Sequence, residues 1–178
     1  MKLLLILGLI LSQAAPVRQS GRLWHPATFR GLSVGKSKRA DMLRVLGQPK
    51  WSRTTPGDAE EHGTTWNNYE RVGDFSGPTN VASDSVTGII KRIDFYPQKL
   101  SKEEAIKHFG RNYVLTRYAF DPCPAGEDEE SIYESPNGPL VSVEYRARGI
   151  AISVGYKDMV TKISYVSGPI GSAKPKCK

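Results

Sequence analysis

The segment Ile90–Tyr96 reads IKRIDFY, so β-branched and aromatic residues are interspersed with charged ones. The segment Val160–Val166 reads VTKISYV and follows a similar pattern. Alternation of this kind is typical of a β-strand with one face in the core and the other in water. Thr87 and Gly88 supply a turn directly before the first of the two strands. The two segments therefore predict strands of one half-buried sheet.

A short amphipathic helix is predicted upstream of each group of strands. The first covers Lys38–Leu46, with Ser37 as its N-cap and Gly47 in the position that favours a left-handed residue. The second follows Ser101-Lys102-Glu103-Glu104, a capping box, and ends at Gly110. Their apolar stripes comprise Ala40, Leu43 and Leu46 in the first helix, and Ala105, Ile106 and Phe109 in the second.

Period-two patterns follow both helices. They predict strands within residues 63–70, 81–85, 89–96, 113–120, 131–134, 140–146, 150–156 and 159–166. The two halves of the chain are also similar to each other: residues 41–54 read DMLRVLGQPKWSRT, and residues 104–117 read EAIKHFGRNYVLTR. Chance similarity between two ordinary amphipathic helices is the alternative to an internal duplication.

The duplication predicts an α+β fold of two tandem helix-plus-β-meander units that share an antiparallel sheet, with the helices on one face. A single unit of this kind cannot bury both its helix and its sheet face. The predicted units span residues 31–100 and 101–168. An extended lead-in covers residues 15–30, and a tail without periodicity covers residues 169–178.

The N-terminus has the layout of a cleavable signal peptide. Lys2 provides a positive charge, Leu3–Leu11 is an apolar run, and Ser12-Gln13-Ala14 permits cleavage after residue 14. The run is shorter than the roughly 20 residues of a membrane span. We therefore predict an extracytoplasmic protein, periplasmic or secreted, without a membrane span; an uncleaved anchor or a buried N-terminal helix is the alternative.

The formal net charge of +7 indicates a basic surface. Export argues against nucleic acid as the partner, whereas an anionic envelope surface or an acidic exported protein fits the charge. The Lys and Arg residues are spread along the chain, so a solvated basic surface is also consistent with it. The oligomeric state is left open.

Two cysteines, Cys123 and Cys177, predict a disulfide in an oxidising compartment. Free thiols and pairing between chains are the alternatives. Together with three scattered histidines, the two cysteines give no spacing typical of a metal site.

The residues capable of catalysis form no recognisable catalytic motif. His25, His62 and His108 have no sequence neighbours that suggest a triad with Ser or Cys. The carboxylates of Glu60-Glu61 and Asp128–Glu130 fall in hydrophilic loops, and no phosphate-binding glycine motif is present. We therefore predict a non-enzymatic protein without a cofactor.

The predicted binding surface is the face of the sheet that the helices leave open. Aromatic residues rimmed by arginines are typical of protein-binding surfaces. The candidates are Trp66, Tyr69, Arg92, Tyr133, Tyr145 and Arg146, with Arg71, Tyr118, Arg148 and Tyr156 as further members of the aromatic and basic set. Because alternation sends residues to both faces, about half of the aromatic side chains are expected in the core.

A family resemblance is carried by residues 31–37, GLSVGKS, followed by residues 42–49, MLRVLGQP. This stretch resembles the signature of the SmpA/OmlA family of small envelope proteins, which includes the lipoprotein E subunit of the outer-membrane β-barrel assembly machinery. The resemblance implies short helices on one face of an antiparallel sheet, a fold shared with the β-lactamase inhibitor proteins. The chain departs from the family in having no lipobox cysteine, which puts lipid anchoring in doubt.

Three functions follow from these observations. The first is a non-enzymatic extracytoplasmic protein-binding module of the cell envelope, with a role in assembly or stability. The second is a proteinaceous inhibitor of an exported hydrolase such as a β-lactamase, with the acidic loop Asp58–Glu61 entering the partner's active site. The third is a small hydrolase, which requires a deep pocket with a buried carboxylate or histidine.

Overall fold

The structure is a computed structural model that describes residues 27–57, 62–72, 74–118, 134–135, 138–168 and 170, with residues 117–118, 134–135 and 138–140 described by their backbone. The described helices are α1 (Arg39–Leu46) and α2 (Lys102–Phe109). The strands, in chain order, are β1 (Thr28–Phe29), β2 (Leu32–Ser33), β3 (Trp51–Thr55), β4 (Thr64–Tyr69), β5 (Thr79–Asp84), β6 (Ile90–Phe95), β7 (Val114–Tyr118), β8 (Glu134–Ser135), β9 (Gly138–Tyr145), β10 (Ile150–Val154) and β11 (Val160–Val166).

One large antiparallel sheet dominates the fold. Its strand order is β3-β4-β5-β6-β11-β10-β9-β7, with β8 paired to the beginning of β9. The strands β6 and β11 meet in the middle, where Phe95 lies opposite Ile163 and Ile93 opposite Tyr165. The predicted strands at residues 89–96 and 159–166 are therefore confirmed. A separate two-stranded sheet is formed by β1 and β2.

The predicted α+β fold class, with two tandem helix-plus-β-meander units, is wrong. The described residues form a mostly β protein: a nine-strand antiparallel sheet, with eight strands in the main order and β8 added to β9, and a two-stranded sheet, with only two short α-helices. Each helix has eight residues, because the helical pattern stops at Gly47 and Gly110. The β-branched and aromatic segments are far longer in total, and their pairing sets the architecture. Within the part of the chain that the structure describes, no helix is long and apolar enough to cross a membrane.

Three strands in the first half, β1, β2 and β3, were not predicted from the sequence. The end of the predicted lead-in, Thr28–Phe29, forms β1 and turns back through Arg30 and Gly31, which both have positive φ. Trp51–Thr55, which forms β3, was not predicted as a strand either. Its residues are mostly exposed, so burial produces no strong alternation of apolar residues there.

The helix starts depend on local side-chain hydrogen bonds. At α2 the capping box is confirmed: the Glu104 N–H donates to Ser101 Oγ at 3.2 Å, and the Ser101 N–H donates to Glu104 Oε2 at 2.9 Å. At α1 the N-cap is Lys38 instead of Ser37, and the Lys38 N–H donates to Asp41 Oδ2 at 3.0 Å. The Ser37 hydroxyl accepts a hydrogen bond from the backbone of Ser33.

The hydrophobic core lies between the two helices and one face of the large sheet, here called the core face. Met42 of α1 and Phe109 of α2 are buried against it. The ring of Phe95 contacts the ring of Phe29 at 4.9 Å between centroids, and the ring of Tyr165 at 5.4 Å. The opposite side of the sheet, here called the far face, carries the alternate residues of the same strands.

Candidate protein-binding surface

Two cross-strand rows define the part of the far face near β3. In the first row, Arg53 of β3 lies opposite Trp66 of β4, which lies opposite Ala82 of β5, which lies opposite Arg92 of β6. In the second row, the order is Trp51, Asn68, Asn80, Asp94 and Ser164. Directly paired residues of an antiparallel sheet point to the same side, so each row presents its side chains together.

Trp66 and Arg92 meet across β5. The guanidinium carbon of Arg92 lies 5.1 Å from the centroid of the Trp66 ring. Both side chains flank Ala82, which is 3% exposed although it lies on the far face. The Arg92 Nε–H also donates to Asp94 Oδ2 at 2.8 Å. The guanidinium is therefore held between a carboxylate and an indole, while 41% of the arginine side chain stays exposed.

Arg53 and Trp51 extend this surface to the edge of the sheet. Arg53 is exposed, and within the described residues it makes no hydrogen bond or ion pair through its guanidinium. Trp51 is 45% exposed. We call the accessible members of the two cross-strand rows together the Trp–Arg row; they are Trp51, Arg53, Trp66 and Arg92. Exposed indoles beside guanidinium groups can stack on planar groups and bind carboxylates, the two contacts that dominate many protein interfaces.

The centre of the far face is polar but buried. Asp94 is fully buried, and its Oδ1 accepts a hydrogen bond of 2.7 Å from the Ser164 hydroxyl. Glu144, 1% exposed, lies in the same row and pairs with the Nε of Arg146 at 2.9 Å. The expectation of an open face across the whole sheet is therefore corrected: the row that contains Asp94 and Glu144 is buried at these positions, and the accessible Trp–Arg row extends from the edge strand β3 to β6.

Tyr69 and Tyr145 do not belong to the exposed surface. They are 3% and 2% exposed and lie on the core face. Their hydroxyls donate to the carbonyl oxygens of Gly47, at 3.3 Å, and Gly110, at 2.7 Å. Burial raises the pKa of both phenols. These two residues tie the C-terminal ends of α1 and α2 to the sheet, and they leave the predicted binding set.

The remaining predicted residues are separated from one another. Arg146 is exposed at the β9 side of the far face, where it pairs with Glu144. Arg148 turns to the core side and donates to the carbonyl oxygen of Phe109 at 2.9 Å. Tyr156 is 65% exposed, and the ammonium of Lys157 lies 5.2 Å from its ring centroid.

Several predictions lie outside the residues or side chains that the structure describes. They are the signal peptide at 1–14, His25, the acidic loop Asp58–Glu61, the side chain of Tyr118, Cys123, Asp128–Glu130, Tyr133 and Cys177. The disulfide and the inhibitor hypothesis therefore stay predictions.

A polar groove adjoins the Trp–Arg row at the end of β4. Its volume is about 670 Å³, and Asn68, the cross-strand partner of Trp51, is among its lining residues. Glu70 in this groove forms an ion pair with Lys50, and this hydrogen bond lowers the pKa of the carboxyl. Arg71, one of the predicted basic residues, lines the same groove and is exposed.

The carboxylate of Asp84 organises the turn before β6. It accepts hydrogen bonds from the Thr87 N–H at 2.7 Å, the Thr87 hydroxyl at 2.9 Å and the Val86 N–H at 3.1 Å. These bonds hold the pKa of the Asp84 carboxyl well below its ordinary value. His62 and Lys91 approach the same carboxylate at 3.3 Å each. Among the described residues, no group of three or more His, Cys, Asp or Glu side chains is arranged to hold a metal ion.

Sequence reasoning missed the two residues that carry the row to the sheet edge. Trp51 and Arg53 alternate with Ser52 and Thr54, which is a strand signal, but a single aromatic residue in a mostly polar segment did not stand out. The partnership of Trp66 with Arg92 was not visible either, because the two residues are joined only by the pairing of β4, β5 and β6.

No protein-family model matches the chain, and no curated protein matches it. Among solved structures, it is similar to a DUF4309 family protein (YjgB) from Bacillus subtilis, with 12% identical residues and a TM-score of 0.43. The similar region covers 79% of this chain and 85% of that chain.

Proposed function

We propose that this protein is an exported, non-enzymatic protein-binding module of the cell envelope, and that its partner binds at the Trp–Arg row. The observation that carries the proposal is the stacking of Arg92 on Trp66 at 5.1 Å beside Arg53, which has no anionic partner among the described residues. The signal-peptide pattern and the SmpA/OmlA resemblance support the envelope as the compartment.

The geometry suits a binding surface because the key side chains are held before a partner arrives. The Ser164 hydroxyl donates to the carboxylate of Asp94, and this carboxylate accepts a hydrogen bond from Arg92. Arg92 in turn covers one face of the Trp66 ring. Little side-chain conformational entropy is therefore lost at these residues when a partner binds. Tryptophan and arginine are also the residue types whose truncation most often weakens interfaces.

The test compares capture of envelope proteins by the wild type and by Trp66→Leu, which keeps apolar cover over Ala82 and removes the indole. The matched control is Tyr156→Ala with Lys157→Ala, since this pair is also an exposed aromatic residue with a cation 5.2 Å from its ring centroid. We expect a captured partner whose affinity falls roughly tenfold in Trp66→Leu, as for loss of a hot spot, and stays at the wild-type value in the control.

Two results contradict the proposal. One is an extract from which the wild type retains no protein above the level of an unrelated basic protein. The other is a partner that binds equally well to Trp66→Leu and to the wild type, with both proteins folded by near-ultraviolet circular dichroism.

A further inference from the structure

The strand β3 is a regular edge of the large sheet. Within the described residues it pairs only with β4, through five consecutive residue pairs from Trp51–Asn68 to Thr55–Thr64. The ladder has no register shift, whereas the β5–β6 and β10–β11 ladders each contain one. At an edge strand, every second residue directs its N–H and C=O groups away from the sheet. These groups can accept a further strand.

Side chains on β3 hold this edge in place. The Ser52 hydroxyl donates to Asn67 Oδ1 at 2.8 Å, and the hydroxyls of Thr54 and Thr65 lie 3.0 Å apart. The edge is thereby fastened to β4 by side chains as well as by backbone bonds. Adding a strand to an ordered edge costs less conformational entropy in total than adding it to a mobile segment, because only the incoming chain must then be ordered.

The charges at this edge select the kind of segment that fits. Trp51 and Arg53 are exposed on the far face at alternate positions of β3. A strand paired beyond β3 places one side chain directly opposite each of them. A carboxylate opposite Arg53 supplies the anion that the described residues lack, and an apolar side chain opposite Trp51 covers the indole.

We infer that the free edge of β3 accepts an extended acidic segment of the partner protein as an added antiparallel strand, with a carboxylate paired to Arg53 and an apolar residue packed on Trp51. This inference rests on the proposed function and specifies its partner. The main-chain hydrogen bonds supply affinity, and the two side-chain positions supply specificity.

The opposite edge of the sheet provides an internal comparison. The described side chains of β7 at that edge are Val114, Leu115 and Thr116, of which the two apolar ones are 43% and 47% exposed. The strand also contains Arg117, and Arg146, which is paired with Glu144, donates to the Thr116 hydroxyl at 3.4 Å. The response of binding to Arg53→Glu therefore distinguishes the two edges.

The experiment titrates isotope-labelled protein with a capped threonine heptapeptide that carries one glutamate and, two residues further on, one valine, and follows the backbone amide signals. The spacing of two places both side chains on one face of the added strand, as Arg53 and Trp51 require; this probe is called the glutamate peptide. We expect shifts concentrated in residues 51–55, and their loss when alternate amides of the peptide are N-methylated. Arg53→Glu should weaken binding of the glutamate peptide about fivefold at low salt, and it should strengthen binding of the same peptide with lysine in place of glutamate by a similar factor. Arg44→Glu, at an exposed arginine on α1, serves as the charge-matched control.

Shifts confined to β7, shifts that survive N-methylation, or an affinity for the glutamate peptide that does not respond to Arg53→Glu each overturn the inference. If the partner captured through Trp66 leaves β3 unshifted, the edge inference fails and the proposed function stands. If the glutamate peptide binds at β3 but no envelope protein is captured, the proposed function fails, and only the capacity of the β3 edge to accept an acidic strand stands.

Discussion

The hydroxyl group of Tyr145 donates a hydrogen bond of 2.7 Å to the carbonyl oxygen of Gly110, the C-cap residue that follows α2. Tyr69 makes the equivalent contact with Gly47 at the end of α1, over 3.3 Å. The carbonyl groups at the end of a helix have no partner within the helix, so these phenols satisfy two of them from the sheet. Each helix is thereby tied to the core face at its C-terminal end.

We expect Tyr145→Phe to lower the free energy of unfolding by about 1 kcal/mol, the usual contribution of one hydrogen bond. Tyr69→Phe should cost less, because its hydrogen bond is longer. Urea denaturation of both variants measures the two values under the same conditions. Equal losses, or a larger loss for Tyr69→Phe, would show that the hydroxyl contacts do not differ as the distances indicate.

Arg92→Ala should lower the free energy of unfolding by about 3 kcal/mol, because it leaves the fully buried carboxylate of Asp94 without its cation. The control is Arg44→Ala, which breaks the exposed ion pair with Asp41 and should change stability by less than about 0.5 kcal/mol. The same denaturation experiment compares them. A similar small effect in both variants is the result that argues against a structural role for the Arg92–Asp94 pair.

Burial raises the pKa of Tyr165 to about 12, from an ordinary value of 10.0. The folded protein therefore favours the neutral phenol, so this contribution to stability is complete below pH 10.0 and is lost as the pH rises toward about 12. We expect the alkaline fall in unfolding free energy to be shallower in Tyr165→Phe, by about 2 kcal/mol over this range. Denaturation curves at several alkaline pH values measure it, and parallel curves for the two proteins would refute it.

Asp84 should contribute to acid sensitivity in the opposite direction. Its pKa is lowered from 3.8 mainly by the backbone hydrogen bond from Thr87, so the folded protein favours the carboxylate. Its contribution is present above pH 3.8 and is lost as the pH falls below that value. Asp84→Asn should be less stable than the wild type at neutral pH and should approach it in acid. A difference between the two proteins that is the same at neutral and at acid pH would contradict this assignment.

Local sequence signals predicted several elements correctly. The capping box at Ser101 and Glu104 and the glycine that follows each helix occur as predicted. The strands predicted at residues 89–96 and 159–166 occur as Ile90–Phe95 and Val160–Val166. These features depend on residues a few positions apart, so their physical causes lie within short segments. The fold class was misjudged because two short helices with clear end signals were given as much weight as a sheet of nine strands.

The candidate surface was predicted less well. Alternation showed that Trp66 and Tyr69 point to opposite sides of β4, but it could not show which side the helices cover. In the structure Tyr69 is buried with Phe95, and Trp66 lies on the far face with Arg92. The sequence therefore showed which residues share a face of the strand, but it did not show which face is buried.

The amino-acid sequence by itself determined where the short helices stop, which central segments are strands and that the protein is basic, because these properties are set by neighbouring residues and by composition. Only the tertiary structure decided that β6 pairs with β11, that Arg92 reaches Trp66 across β5, and that β3 lies at the edge of the sheet formed by the described residues. Those relationships join residues far apart in the chain, and they arise from the burial of one sheet face against the helices.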